Sequence, residues 1–356
     1  MATAAAAGAC SMDSTILLFL LQDGITNGAI YALLALALVL VFAVTRVILV
    51  PQGEFVAYGA LTLAMLDVGK VPGTAGLLVV FAAMGLACEL WSSRRRLSPR
   101  LLAHLALIYV VPPAIIVALT LWLTPMRLGP VPQALIAIAI VAPMGPYLYR
   151  IIFQPLEQAS ILVLLIAAVG AHFSMTGLCL LFFGPEGLRA KPLLTSGFTA
   201  GPLPVSGQSI AIYLTALGLM LALYLFFDRT ILGKALRATA VNRLGARLVG
   251  VRTALSGQLA FLIAAAIGAL SGVLIAPITT VFYDSGFLIG LKGFVAAIVG
   301  GLVSYPIAAA AAVFVGIVEA FASFWASSFK EIIVFMIIIP VLIVRSLTSD
   351  HVEEDE

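Results

Sequence analysis

The chain has 356 residues, of which 63% are hydrophobic and only 10% are charged, and its mean hydropathy is +1.18. Soluble domains are about 25% charged, so a water-soluble fold could not bury this much apolar surface, and we expect the chain to lie in a membrane. The net charge of +3, from 19 Lys and Arg against 16 Asp and Glu, is too small to indicate a protein that binds nucleic acid.

The chain begins with the sequence MATAAAAGACSMDST, followed by a short apolar run. A secretory signal would begin with cationic residues, and this sequence has none. Residues 1–14 are therefore predicted to form a tail that leads into the first membrane helix. The three cysteines, Cys10, Cys88 and Cys179, lie too far apart to indicate a disulfide framework or a metal site.

Apolar runs such as AIYALLALALVLVFAV follow, and they do not alternate as the strands of a membrane barrel would. A helix needs about 20 apolar residues to cross a bilayer. Residues 15–346 are therefore predicted to form an all-α, polytopic transmembrane bundle of about 9–11 spans. The predicted spans lie near 25–45, 53–68, 75–91, 101–123, 132–149, 160–183, 207–228, 254–277, 287–303, 306–326 and 330–345. Pro277 and Pro306 are predicted to interrupt helices, because proline lacks a backbone donor.

Cations lie mostly in alternate connections between these spans. By the positive-inside rule these connections are cytoplasmic and the N-terminus is external. The acidic segment 347–356 is then a cytoplasmic tail, predicted to be solvated. The connections predicted to be internal hold Arg46, the run 94–96 with Arg100, Arg150, the segment 229–252 and Arg345, whereas the external ones hold only Lys70, Arg127, Arg189, Lys191 and Lys330.

The longest internal connection reads GKALRATAVNRLGARLVGV and lies within residues 229–253. Leu236, Ala240, Leu244 and Leu248 recur every four residues, which predicts an apolar stripe along a helix. Two interpretations remain open: an interfacial helix on anionic lipid, or a docking helix for a cytoplasmic partner. The residues that would serve docking are Gly233, Lys234, Arg237, Arg243, Gly245, Arg247 and Gly250, with Gly245 as a possible bend.

The segment is not a nucleotide site. Gly233 and Lys234 are the nearest match to the phosphate-binding motif G-x-x-x-x-G-K-[ST], but Asp228 replaces the first glycine and Ala235 follows the lysine. Histidines have no metal-ligand spacing, and no nucleophile motif is present. The sequence predicts no catalytic residue, no metal site and no cofactor bound by this chain, so ATP with its Mg²⁺ would bind a separate subunit.

Charged residues within spans are the candidates for a translocation path, because placing a charge in lipid is costly. Glu319, in FVGIVEAFASF, is the deepest and is expected either to face a polar cavity or to pair with a cation such as Lys292. Gly53 and Glu54 lie at the start of a span, and His172 lies within one. A hydrogen-bonded interior position is the simpler interpretation of His172.

The segments LGKALRATAVNRLGARLVGVRTALSGQLAFLIAAAIGALSGVL and GFLIGLKGFVAAIVGGLVSYPIAAAAAVFVGIVEAF resemble the LivH-type permeases (the HAAT family). So do YRIIFQPLEQASILVLLIAAVG and DGITNGAIYALLALALVLVFAV, so that the resemblance covers roughly three-quarters of the chain. These permeases are bacterial inner-membrane subunits of ABC importers for branched-chain amino acids and related solutes. The resemblance places the coupling segment of the family at 233–251 and matches Lys292 and Glu319 to charged positions of its last third.

The resemblance also implies partners. These are a second permease, LivM-like or the chain itself, two LivG/LivF-like ATPases, a periplasmic solute-binding protein, a small solute and the lipid bilayer, with no nucleic acid. A branched-chain or other hydrophobic amino acid is the expected solute. Urea, short amides and small aromatic or other carboxylates are the alternatives within this class, and a stand-alone secondary transporter or channel is the alternative outside it.

Three departures from the family pattern bear on the solute. The family has a stretch similar to Asn-Phe-Ala-His-Gly-Glu, where this chain reads LVPQGE, so that Leu49 and Gln52 replace polar residues while Gly53 and Glu54 are kept. Residues 70–130 are predicted to contain an extra pair of membrane helices, which would preserve the orientation of all later spans. The familiar Arg-Pro-Thr-Gly ending is replaced by RSLTSDH.

Overall fold

The computed structural model describes residues 2–93, 98–126, 128–200, 203–302 and 304–348. The predicted cations Arg94–Arg96 and Arg127 and the acidic residues 349–356 lie outside this part. The described residues form helices joined by short connections and one small hairpin. The helices are α1 (Ala2–Thr45), α2 (Gln52–Asp67), α3 (Gly73–Ser93), α4 (Pro99–Tyr109), α5 (Val111–Leu123), α6 (Pro130–Val141), α7 (Met144–Leu148), α8 (Ile161–Phe183), α9 (Gly207–Arg229), α10 (Ile231–Val241), α11 (Arg243–Leu248), α12 (Thr253–Ile275), α13 (Ser285–Val299), α14 (Tyr305–Trp325), α15 (Lys330–Met336) and α16 (Ile338–Thr348).

The predicted helical membrane bundle is confirmed. Within the described ranges, eight helical segments are long and apolar enough to cross a membrane, and they coincide with eight of the eleven predicted spans: 15–45, 73–92, 99–126, 130–153, 161–183, 207–229, 253–275 and 305–325. The other three predicted spans are helical but short, because α2 has 16 residues, α13 has 15 and the last is divided into α15 and α16. The backbone of α1 begins at Ala2, so residues predicted to be a tail continue the first helix.

The connection between α8 and α9 contains the hairpin. Strands β1 (Phe198–Ala200) and β2 (Leu203–Val205) pair antiparallel. Near it, Lys191 pairs with Asp67 at the end of α2, and Arg189 donates two hydrogen bonds to the carbonyl of Pro277 after α12. We call this side of the bundle the hairpin end, and the side that carries Arg46, α10 and α11 the basic end.

Two short helices begin in the middle of the bundle. Gln52, the first residue of α2, donates to the carbonyl of Ala264 at 3.0 Å, and Ala264 is the midpoint of the 23-residue α12. At 1.5 Å per residue this contact lies about 16 Å from either end of α12. The start of α13 packs directly on Gly53, so α13 begins at the same depth. From there α2 runs to the hairpin end, and α13 runs to the basic end.

Local sequence explains both interruptions. Pro51 precedes α2, and the buried residues Val47 and Leu49 carry the chain back from the end of α1 to the middle of the bundle. Pro277 follows α12 and cannot continue its backbone hydrogen bonds, as predicted. Pro306 lies in the first turn of α14, where a proline is tolerated, so the break that was predicted there falls just before this helix.

Helices α1 and α12 form the centre of the bundle, whereas α4, α5 and α9 lie at its periphery. Pro112 and Pro113 lie in the first turn of α5, and the predicted span 101–123 is divided at Val110 into α4 and α5. The apolar outer faces of these helices suit contact with lipid. Together α3, α4 and α5 occupy most of the stretch in which an extra helix pair is predicted.

Candidate functional site

A buried ionic cluster joins four helices in the middle of the bundle. The ammonium of Lys292 on α13 lies 2.5 Å from Glu319 Oε1 on α14 and 3.1 Å from Glu331 Oε1 on α15. The hydroxyl of Tyr31 on α1 donates to the other oxygen of Glu319 at 2.5 Å. The side chains of Lys292 and Glu319 are 7% and 9% exposed. Of the two alternatives for Glu319, the structure shows the pairing with Lys292.

This cluster fixes α13 to the helices around it. A charge that has left water needs both an opposite charge and further hydrogen bonds, and Glu319 has the ammonium of Lys292 and the hydroxyl of Tyr31. Lys292 also lies 5.9 Å from the centre of the Tyr31 ring, which is within the range of a cation–π contact. One cation thus faces two carboxylates, and Glu331 is the more exposed of the two.

A second polar cluster lies at the start of α2 and α13. Glu54 is fully buried, and its Oε1 lies 3.0 Å from Nδ1 of His172, which is the midpoint of α8. The imidazole stacks on the ring of Phe287, with 4.6 Å between ring centroids. The structure thus brings Glu54 and His172 together at the level where the short helices begin. The Glu54 carboxylate is within ion-pair distance of the imidazole, but among the described residues neither of its oxygens has a hydrogen-bond partner.

Gly53 permits this arrangement because the backbones of α2 and α13 touch at this point. A Cβ on Gly53 would lie 3.2 Å from Cα of Gly290 and closer still to the carbonyl of Gly286. Both obstacles are backbone atoms, which cannot move aside as a flexible side chain can. Small residues at such crossings let membrane helices approach closely.

The basic segment 229–253 forms two short helices and not the single predicted one. The side chain of Asn242 accepts a hydrogen bond from the Gly245 amide at 2.8 Å, so Asn242 ends α10 and caps α11. The predicted stripe is therefore wrong beyond α10: Leu236 is buried, but Leu244 and Leu248 are 69% and 82% exposed. Asparagine caps helices because its side chain competes for backbone donors.

Two of the cations in this segment anchor it to the rest of the chain. Glu157, in the connection before α8, receives Arg243 at 2.6 Å and also pairs with Arg247. Arg247 further donates to Thr253 Oγ1 at 2.9 Å. One carboxylate thus holds α11 against the starts of α8 and α12.

The remaining predicted residues of the segment have different surroundings. Lys234 and Arg237 are exposed on α10. Gly233 packs against the backbone of Phe226 and Phe227, and a Cβ there would lie 2.7 Å from Cα of Phe227. Gly245 follows the cap, and Gly250 has a φ of +88°, which glycine adopts without strain.

Sequence reasoning missed Tyr31, Glu331 and Glu157. Tyr31 lies within a continuous apolar run, and Glu331 and Glu157 belong to short connections in which charge is ordinary. No signal in the sequence separates them from other polar residues. Within the described ranges, no group of three or more His, Cys, Asp or Glu side chains is arranged to hold a metal ion.

Residues 20–344 match the family described as the permease component of branched-chain amino acid transport systems. The chain is 30% identical over 241 residues to the high-affinity branched-chain amino acid transport system permease protein BraD of Pseudomonas aeruginosa, covering 64% of this chain and 78% of BraD. It is also 30% identical over 215 residues to LivH of Escherichia coli K12, a permease protein of the same description, covering 58% of this chain and 70% of LivH. No solved structure matches it.

Proposed function

The chain belongs to the family of permease components of branched-chain amino acid transport systems, and from this premise we propose how it works within its importer. It is a multi-pass inner-membrane permease subunit, and it forms the path along which a branched-chain or other hydrophobic amino acid crosses the membrane. Hydrolysis of ATP, with its Mg²⁺, takes place on two separate ATPase subunits. The single observation that carries this proposal is the family match over residues 20–344, which spans almost the whole bundle.

The basic end supplies a surface for the ATPases. Val241, Leu244, Leu248 and Val249 are each more than two-thirds exposed, although they lie in a segment that its ion pairs hold in place. Contiguous exposed apolar residues with a charged surround are typical of protein interaction sites. The proposal therefore favours docking over the interfacial lipid helix as the role of α11.

The middle of the bundle supplies the proposed path. Helices α2 and α13 begin there, next to the pair Glu54 and His172. Further along α13 lies Lys292, paired with Glu319 of α14. Interrupted helices at mid-membrane depth form the solute sites of many transporters. We place the moving solute beside these two helices, with a second permease, LivM-like or identical, completing the path.

The hairpin end faces the periplasm in this proposal, since the cations concentrate at the other end. The surface that a solute-binding protein would contact there includes β1, β2, Lys191 and Arg189.

The experiment is reconstitution in proteoliposomes with a partner permease, two ATPases and a solute-binding protein from the same organism. We expect accumulation of radiolabelled leucine, isoleucine or valine that requires both ATP and the binding protein. Urea, short amides and aromatic carboxylates are tested in the same panel, and preferential uptake of one of them would replace the amino acid as solute. Uphill transport by the chain alone without nucleotide would overturn the importer mechanism.

The docking surface is tested separately with Leu248→Asp. Burying a carboxylate at an apolar interface core costs several kcal/mol, so we expect the ATPases to be lost on co-purification while the permease inserts normally. Leu194→Asp is the matched control, because Leu194 is an exposed apolar residue at the hairpin end. ATPase recovery equal to that of wild type with Leu248→Asp would contradict the placement of the interface.

A further inference from the structure

An apolar groove opens between α1, α9, α10 and α14 at the basic end. Its volume is about 730 Å³, and its walls include Leu40, Leu223, Phe227 and Ala309. Volumes of about 300–1,000 Å³ are typical of sites that hold a small molecule. The groove is separate from the Lys292 and Glu54 clusters, because none of their residues lines it.

Two cations lie among the groove's lining residues, Arg46 after α1 and Arg237 on α10. Both side chains are exposed, and neither makes an ion pair with any acidic residue that the structure describes. Among the described residues, no Asp or Glu lines the groove. In contrast, Arg150, Arg229, Arg243 and Arg247 at this end of the bundle each have a carboxylate partner.

Backbone conformation supplies a second observation. Arg46 has a φ of +61° and Leu302 a φ of +57°, and in the described part of the chain only these two residues other than glycine have positive φ. Both line the groove. A helix that ends in this conformation normally has glycine there, because a side chain is strained. An arginine at this position therefore keeps a cation at the groove at a cost to the backbone.

We propose that this groove binds an anionic phospholipid of the cytoplasmic leaflet. The acyl chain lies against the apolar walls, and the phosphate is bound by Arg46 and Arg237. Guanidinium groups bind phosphate through paired hydrogen bonds. Basic pockets between membrane helices on the cytoplasmic side suit acidic headgroups. A zwitterionic lipid fits less well, since no carboxylate in the lining would receive its cationic headgroup.

A second copy of this chain is the less suitable occupant. A twofold interface places the same surface on both partners. It would bring the two unpaired arginines of one copy close to those of the other. Because α10 forms one wall of the groove, the bound lipid would also contact the helix that leads into the proposed docking segment.

The test is native mass spectrometry of the full-length chain in mild detergent, titrated with palmitoyl-oleoyl phosphatidylglycerol or with the phosphatidylcholine of the same chains. We expect the wild type to prefer phosphatidylglycerol about tenfold or more. Arg46→Gly and Arg237→Gln are each expected to weaken phosphatidylglycerol binding about fivefold, and the double variant more than either. Arg229→Gln is the matched control at the same end, outside the groove, and should leave binding unchanged.

Two further measurements keep the proposal falsifiable. Arg46→Gly places glycine where φ is positive, so we expect its melting temperature not to fall, and lipid loss can then be separated from misfolding. Ala240→Phe fills the groove without changing charge and should also lower lipid binding. Three outcomes would each overturn the proposal. The wild type could bind both lipids equally, the double variant could bind phosphatidylglycerol as well as the wild type does, or another permease copy could prove to cover the groove.

Discussion

Removal of the Lys292 charge should destabilise the protein more than removal of the charges of both Lys292 and Glu319. Lys292→Met leaves the carboxylate of Glu319 buried, with only the Tyr31 hydroxyl as partner. An uncompensated buried charge costs about 3–5 kcal/mol. Glu319→Gln is milder, because Lys292 keeps Glu331 at 3.1 Å and the amide can still accept from Tyr31. We expect it to cost about 1–3 kcal/mol, the range for a disturbed buried hydrogen bond.

The double variant Lys292→Met, Glu319→Gln leaves no buried charge at this pair. Replacing a whole buried ion pair by neutral residues of similar size is often nearly neutral. We therefore expect it to lose about 1–2 kcal/mol, less than Lys292→Met alone, with a coupling of about 3–6 kcal/mol between the two sites. Glu331→Gln, at the more exposed carboxylate, should have a smaller effect than Lys292→Met.

The assay is thermal unfolding in detergent, followed with a maleimide dye that becomes fluorescent on reaction with a thiol. Cys179 is completely buried and therefore reports on unfolding of the bundle. At about 2 °C per kcal/mol, Lys292→Met should lower the melting temperature by about 6–10 °C. Losses in the double variant that equal the sum of those in the single variants would refute the reasoning, because independent sites show no coupling.

Other predictions concern the helix contact and the basic segment. Gly53→Ala should destabilise the protein by about 1–3 kcal/mol or more, because its Cβ forces α2 away from α13, and it should also impair transport. Gly218→Ala is the control, since no described atom lies within 4 Å of its Cβ, and it should be neutral in the same melting and uptake measurements. Glu157→Arg should reduce ATP-dependent uptake with little change in stability, because the pairs it breaks are partly exposed, and Arg247→Glu in the same chain should restore part of the uptake. No restoration by the second substitution would show that the ion pair does not position α11.

Composition and periodicity were enough to predict the helical bundle and most of its spans, because lipid requires helices to satisfy their own backbone groups. The pairing of Lys292 with Glu319 could also be anticipated, since a buried charge in an apolar span needs a partner. The depth at which α2 and α13 begin could not be predicted from the sequence. A helix of 15 or 16 apolar residues looks like a short span in sequence, and only contacts such as that of Gln52 with Ala264 show that it begins in the middle of the bundle.

The prediction of one continuous helix in the basic segment was wrong for a different reason. Its four-residue spacing of apolar side chains is a true helical period, but Asn242 interrupts it by capping a new helix. A local hydrogen bond of about 1 kcal/mol thus decides the direction of every side chain that follows. The role of Glu157 depends on tertiary packing, because 86 residues separate it from Arg243, and nothing in the local sequence indicates which carboxylate meets which arginine.

The close contact between Gly53 and Gly286 also determines how α2 and α13 can move together. Each helix extends from this contact for about 20 Å, one toward each side of the membrane. If both tilt as one body about the contact, a rotation of about 10° displaces their far ends by roughly 4 Å in opposite directions. The contact between the two glycines would then be the hinge point of a motion that widens the bundle on one side of the membrane as it narrows the bundle on the other.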